Sequence, residues 1–242
     1  MLITGNSSGL GLGLSKAFLA QGGKVYGCSR RGCGLDGDCE DIRCDLSDFD
    51  AIPLALEALL SEAEGLDIAV LNAGMLGEIK PMHQTSVVEL QQILDVNLLA
   101  NKVVLDWLCN WQRPIKQIVL ISSGAAVLGN KGWGGYALSK AALNMLTKLY
   151  SHEFPDTHLT ALAPGLIDSV MMEYLCTSPD PQEYPALARL HDARNSGAIP
   201  DGDAAGEKVL AVIPELLKYP SGSFIDIRQI NDPEEYARVF SA

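Results

Sequence analysis

Tyr136 and Lys140 stand four residues apart in a stretch with helical spacing, and Ser123 precedes Tyr136 by thirteen residues at the end of an apolar run. Side chains at i and i+4 share one face of a helix, so the phenol and the ammonium would lie side by side. A phenol ionises near pH ~10 and is a poor acid or base at neutrality. A neighbouring positive charge favours the phenolate and lowers that value, which suits general acid–base work. The hydroxyl of Ser123 could then bond an oxyanion as it develops. Taken alone, a Tyr-x-x-x-Lys pair is more often an amphipathic pattern with a half-buried ring.

A second constellation opens the chain: Thr4-Gly5-Asn6-Ser7-Ser8-Gly9-Leu10-Gly11. Gly5 permits a tight turn, and Gly9 and Gly11 let the backbone approach a ligand closely. The helix that follows offers unpaired N–H groups and partial positive charge to a pyrophosphate. The loop lies at the first strand-to-helix junction, where a dinucleotide fingerprint belongs. Without a ligand it would be a glycine-rich turn. NAD-preferring folds carry an acidic residue about 20 positions further on. Here the second apolar run ends Cys28-Ser29-Arg30-Arg31, with no carboxylate. Arginine pairs bidentately with a 2′-phosphate, so the expectation is NADP(H), held by Arg30; the alternative is a solvated basic turn. Asp45 is placed to accept from an adenine amino group, although an isolated Asp in a turn more often caps a helix or closes an Asx-turn.

Alternating elements must position these groups. Strands are expected at Met1–Thr4, Lys24–Ser29, Ile42–Cys44, Leu66–Leu71, Gln117–Ile121, His158–Leu162 and Ser223–Ile227. Helices are expected at Gly9–Gly22, Phe49–Ala63, Ser86–Trp111, Gly135–His152 and Asp203–Leu217, the last interrupted at Pro214. Residues 31–40 read as a loop, and 168–200 as an irregular, partly helical insert. This order predicts an α/β fold, a single-domain Rossmann-type doubly wound parallel sheet with helices on both faces, spanning residues 1–242. The turns after the strands should share one edge, where ligands bind.

The formal net charge of −12 argues against nucleic acid or an anionic membrane as partner. No apolar run approaches the ~18 residues a bilayer span needs, and no signal peptide is evident, so a cytoplasmic location is expected. Six cysteines without paired zinc-type spacing imply reduced thiols and no metal site. The four histidines show no ligand spacing. Leu76, Leu128, Trp133, Leu166, Val170, Met171 and Tyr174 suggest an apolar, partly aromatic substrate pocket, with residues 166–200 long enough to act as a lid. Each could equally pack the insert onto the domain.

Thr4-Gly5-x-x-x-Gly9-x-Gly11, Asn72-Ala73-Gly74, Asn97, Ser123, Tyr136-x-x-x-Lys140 and Pro164-Gly165 together resemble the short-chain dehydrogenase/reductase family. The C-terminal Ser221–Arg228 run looks similar to benzil reductases and sepiapterin-reductase-like enzymes. The resemblance implies a catalytic tetrad of Asn97, Ser123, Tyr136 and Lys140, with Asn97 holding a water against Lys140 through a distortion in its long helix. It implies cofactor contacts from Gly5, Asn6, Ser7, Ser8, Gly9, Leu10, Gly11, Arg30, Asp45, Leu46, Asn72, Ala73, Gly74, Tyr136, Lys140, Pro164, Gly165, Ile167 and Ser169. The implied assembly is a homodimer or homotetramer through the helices carrying Asn97 and Tyr136. The expected activity is NADPH-dependent reduction of an apolar ketone, diketone or aldehyde. An oxidative alcohol or steroid dehydrogenase and a non-catalytic NADP-sensing protein are the alternatives.

Overall fold

Apolar strands with little polar interruption must be covered on both faces, and here they are. A computed structural model describes residues 1–240; the last two positions of the expected domain lie outside the described residues. Strands β1 (Leu2–Thr4), β2 (Val25–Ser29), β3 (Cys39–Arg43), β4 (Leu66–Leu71), β5 (Ile115–Ile121), β6 (His158–Ala163) and β7 (Ser223–Asp226) form one parallel sheet in the order β3-β2-β1-β4-β5-β6-β7. The helices are α1 (Gly9–Ala20), α2 (Ala51–Leu59), α3 (Val87–Leu94), α4 (Ala100–Asn110), α5 (Ala125–Leu128), α6 (Gly134–Tyr150), α7 (Val170–Thr177), α8 (Pro185–Asn195), α9 (Gly202–Val212), α10 (Arg228–Asn231) and α11 (Pro233–Phe240).

Because successive strand residues point to opposite faces, each strand feeds two cores. Leu2, Ile118 and Leu120 join Leu56, Leu105 and Leu143 beneath α2, α4 and α6. Ile3, Val119 and Ile121 join Leu14, Val209 and Leu210 beneath α1 and α9. On that second face α1 and α9 touch backbone to backbone: a Cβ added at Gly13 would sit 1.8 Å from the Gly202 carbonyl oxygen. The register aligns Thr4 with Cys28 and Leu71, and Ile121 with Leu162. The turns that follow therefore lie along one edge, and the strand order reverses between β1 and β4, where such folds bind ligands.

Several elements differ from the sequence expectation. Strand β3 begins at Cys39, within the expected loop, because it pairs along the whole of β2 from Val25↔Cys39 to Ser29↔Arg43. It is an edge strand with exposed Glu40 and Asp41, so no apolar signal marks its start. The helix expected from Ser86 to Trp111 is interrupted by a π turn over Asp95–Leu99, at the distortion that the resemblance implied around Asn97. Ser86 does begin it, through a capping box with Glu89. The insert is partly helical as expected, with α7 and α8, whereas α5 after β5 and α10 and α11 after the last strand are unanticipated. No helix among the described residues is long and apolar enough to cross a membrane.

Candidate active site

Thr4 ends β1 with its hydroxyl accepting from the N–H groups of Asn72 and Ala73, at 3.0 and 3.1 Å. Asn72 returns its amide to the Thr4 and Gly5 carbonyls, at 3.0 and 3.2 Å. The turns after β1 and β4 are thereby locked together. Gly5 takes φ +71°, open to glycine at little cost. A Cβ at Gly11 would lie 2.3 Å from the Gly5 carbonyl oxygen, so only glycine lets α1 start against this loop.

Above it lies a cavity of about 410 Å³ walled by Gly5, Ser7, Ser8, Gly9, Leu10, Arg30, Arg31, Asp45, Leu46, Asn72, Ala73, Gly74, Ser169 and Val170. Most of the expected cofactor residues are thus gathered in one place. Asn6 is not on that wall: its fully buried amide donates to Asp41 at 2.8 Å beneath the loop. Asp45 accepts from the N–H and hydroxyl of Ser47, which hold its carboxyl below the usual range, so it closes an Asx-turn while lining the cavity. Arg31, next to the expected Arg30, reaches back to the hydroxyls of Ser7 and Ser8 at 3.2 and 3.1 Å. Adjacency to Arg30 was the only signal for it.

A second cavity, about 350 Å³, adjoins the first along Leu10, Asn72, Gly74, Ser169 and Met171. Ser123, Tyr136 and Lys140 stand in its wall with Trp133, Pro164, Gly165, Leu166 and Ile167. Tyr136 and Lys140 face one way from α6, as their spacing requires, and both are buried. The Lys140 ammonium donates to the Ile121 carbonyl at 2.7 Å and lies 5.7 Å from the centre of the Tyr136 ring. Burial pulls its pKa down to about 8. Burial also pushes the Tyr136 phenol up, and only the Ser123 side chain opposes it. The expected lowering of the phenol by the ammonium is therefore not seen: desolvation sets the direction of the shift in the folded chain.

Asn97 sits in the π turn. Its side chain accepts from the Met75 N–H and donates to the Met75 carbonyl, both at 2.8 Å, and donates to Ser139 at 2.9 Å. Ser139 donates in turn to the Tyr136 carbonyl at 2.7 Å. Asn97 therefore braces the segment after β4 against α6 rather than walling the cavity. A Cβ at Gly74 would meet both Asn97 Oδ1 (3.2 Å) and Lys140 Nζ (3.5 Å), so this glycine keeps the two residues adjoining. Ser139 escaped the sequence reading; a small polar residue on the buried face, three positions after Tyr136, was the available signal.

Of the expected substrate residues, Trp133, Leu166, Met171 and Leu128 line this second cavity. Val170 faces only the first cavity. Leu76 and Tyr174 pack under the insert, where the Tyr174 hydroxyl accepts from the Ile79 N–H at 3.1 Å. Helices α8, α10 and α11 add Arg189, Arg228 and Glu235, which no local pattern announced. Arg228 is held bidentately by the fully buried Asp226, at 2.7 Å to each oxygen. No group of three or more His, Cys, Asp or Glu among the described residues is arranged to hold a metal ion.

Residues 1–179 match the family described as short chain dehydrogenase. A benzil reductase ((S)-benzoin forming) of Bacillus subtilis is 28% identical over 242 residues, covering 94% of this chain and 98% of its own. One of Saccharomyces cerevisiae is 31% identical over 201 residues, 75% of this chain and 76% of its own. Among solved structures, the KRED1-Pglu enzyme superposes with a TM-score of 0.80 at 23% identity, over 93% of this chain and 98% of its own.

Proposed function

This chain belongs to the short-chain dehydrogenase family of oxidoreductases, and on that premise we propose that it reduces an apolar ketone, diketone or aldehyde to an alcohol with NADPH. The observation that carries the reading is the meeting of two cavities, one cradled by the glycine loop and one walled by Ser123, Tyr136 and Lys140. Family members bind NAD(H) or NADP(H), and the loop here fits such a group: Gly9 faces the cavity with only Ser169 within 4 Å of where a Cβ would stand, and the N-terminus of α1 opens onto the same cavity. Gly5–Gly11, Leu46 and Asn72–Gly74 would hold the adenosine and pyrophosphate, and Pro164–Ser169 the nicotinamide end. When bound, the reduced dinucleotide supplies the hydride.

The protein's own residues handle the proton. Tyr136 donates its hydroxyl proton to the substrate oxygen, and Ser123 hydrogen-bonds the same oxygen as negative charge develops there. The Lys140 ammonium stabilises the phenolate left behind. Asn97 braces this group and, in the same reading, holds a water against Lys140. A phenol pushed up by burial stays protonated at working pH, which favours the reductive direction. The benzil reductase relatives support a diketone among the substrates. Exposed Leu99, Leu138, Met145 and Leu149, on or beside the helices carrying Asn97 and Tyr136, support a homo-oligomer through that face.

Two measurements test this reading. Above about pH 8 Lys140 loses its charge, and with it the stabilisation of the phenolate. Accordingly, kcat/KM for ketone reduction should be level at lower pH and fall as pH rises through that value. A profile flat to pH 10 would contradict the role given to Lys140. For the cofactor, the Arg30→Ala/Arg31→Ala double variant should raise the NADPH Kd roughly 10- to 100-fold, the scale of lost charge-assisted hydrogen bonds. NADH affinity should hardly move. Equal weakening of both would remove the case for a 2′-phosphate contact.

A further inference from the structure

Cys33 and Cys39 face each other across the β2–β3 connection with their sulfurs 3.5 Å apart. Both thiols are partly accessible, and neither takes part in the chemistry above. Cys39 is fixed: it begins β3 and pairs with Val25 in the sheet. Cys33 sits on a loop whose Gly32, Gly34 and Gly37 all take positive φ. Closing 3.5 Å to the ~2.05 Å of a disulfide needs a shift of roughly 1.5 Å, and the shift must fall on the Cys33 side. That side is wired to the glycine loop. The Cys33 N–H donates to Asp41 at 3.0 Å, Asp41 also accepts from Asn6, and Arg31 donates to Ser7 and Ser8.

We infer that Cys33 and Cys39 form a reversible disulfide that loosens the NADPH site by drawing the loop, and Arg31 with it, away from Ser7 and Ser8. The coupling rests on the cofactor reading above; the disulfide itself does not. With hydrogen peroxide as oxidant, the Cys33 sulfur attacks a peroxide oxygen, the O–O bond breaks and one water leaves with the sulfenic acid formed. The Cys39 sulfur then attacks that sulfenic sulfur, releasing a second water as the S–S bond forms. Two thiols lose two hydrogens and two electrons, and one peroxide becomes two waters. Burial, helped by Cys33 and Asp41, pushes the Cys39 thiol up to about 12, so it is not the thiol that meets the peroxide first. Cys28 and Cys44 are buried in the core, although Cys44 borders the first cavity.

The full chain should be treated with hydrogen peroxide, mapped by mass spectrometry of unreduced peptides, and titrated with NADPH by fluorescence. A Cys33–Cys39 linked peptide that dithiothreitol dissolves is expected, with NADPH Kd raised about 5-fold in the oxidised form, the scale of one lost hydrogen bond. Cys33→Ser and Cys39→Ser should each abolish both changes and bind NADPH as the reduced protein does. Overoxidised single thiols, or links through exposed Cys109, would overturn the disulfide. A mapped disulfide with unchanged or tighter NADPH binding would overturn the coupling. Reduced protein that fails to bind NADPH would overturn the cofactor reading and the coupling together, with the peptide map still deciding the disulfide.

Discussion

Replacing Tyr136 with Phe is expected to lower kcat for NADPH-linked ketone reduction by roughly 10³-fold, near the middle of the range for general acid–base groups. That corresponds to about 4 kcal/mol of barrier. Phe keeps the ring, and with it the packing against Leu76, Ala125 and Leu175 under the insert. It removes the phenol hydroxyl beside Ser123, the group given the task of protonating the substrate oxygen. NADPH affinity should stay close to that of the parent chain, because the glycine loop and the Arg30–Arg31 turn are untouched. The measurements are a steady-state assay at the nicotinamide absorbance and a cofactor titration. Retained turnover would mean that another group supplies the proton. Lost NADPH affinity would mean that Tyr136 acts through the architecture of the site.

Gly13→Ala should destabilise the fold more than any other conservative change at the α1–α9 crossing. The added Cβ would lie 1.8 Å from the Gly202 carbonyl oxygen and 2.5 Å from its carbon, and both are backbone atoms with no rotamer to retreat into. Gly206 opposes the same turn of α1, with Gly13 carbon 2.2 Å from its own would-be Cβ, so neither helix can slide aside. Overpacking of this kind costs about 3 kcal/mol, and for a domain of this size lowers Tm by roughly 6–12 °C. Alanine's better helix propensity, up to about 1 kcal/mol, does not offset the clash. Thermal or urea unfolding of the variant checks this. A Tm equal to that of the parent would mean that the two helices lie further apart than the structure places them.

The same crossing shows where local reading stops. In the sequence Gly13 is one glycine among several in a helical stretch. Its necessity comes from Gly202, nearly two hundred residues away, and no periodicity links the two. Arg228 and Glu235 reached the substrate cavity unannounced for the same reason, since the placing of Arg228 and Phe240 beside Gly124, in the turn after β5, is a long-range outcome. The π turn at Asp95–Leu99 left no mark on the periodicity, because one extra residue in a turn leaves the apolar repeat readable as a continuous helix; only the resemblance implied a distortion at Asn97.

Most of the elements, and the reactive side chains they carry, were legible in the sequence. Periods of two and of 3.6 are local steric facts, so strands, helices and their alternation could be read directly, along with the shared face of Tyr136 and Lys140. Glycines at the first strand-to-helix junction announced a cradle because backbone geometry there admits little else. Tertiary structure alone decided how the ammonium, the phenol and Arg31 are used. Burial sets the ionisation of Lys140 and Tyr136, and the fold of the β2–β3 loop carries Arg31 to Ser7 and Ser8. Desolvation and long-range contact depend on what the rest of the chain places around a residue, and no neighbouring letter in the sequence records that.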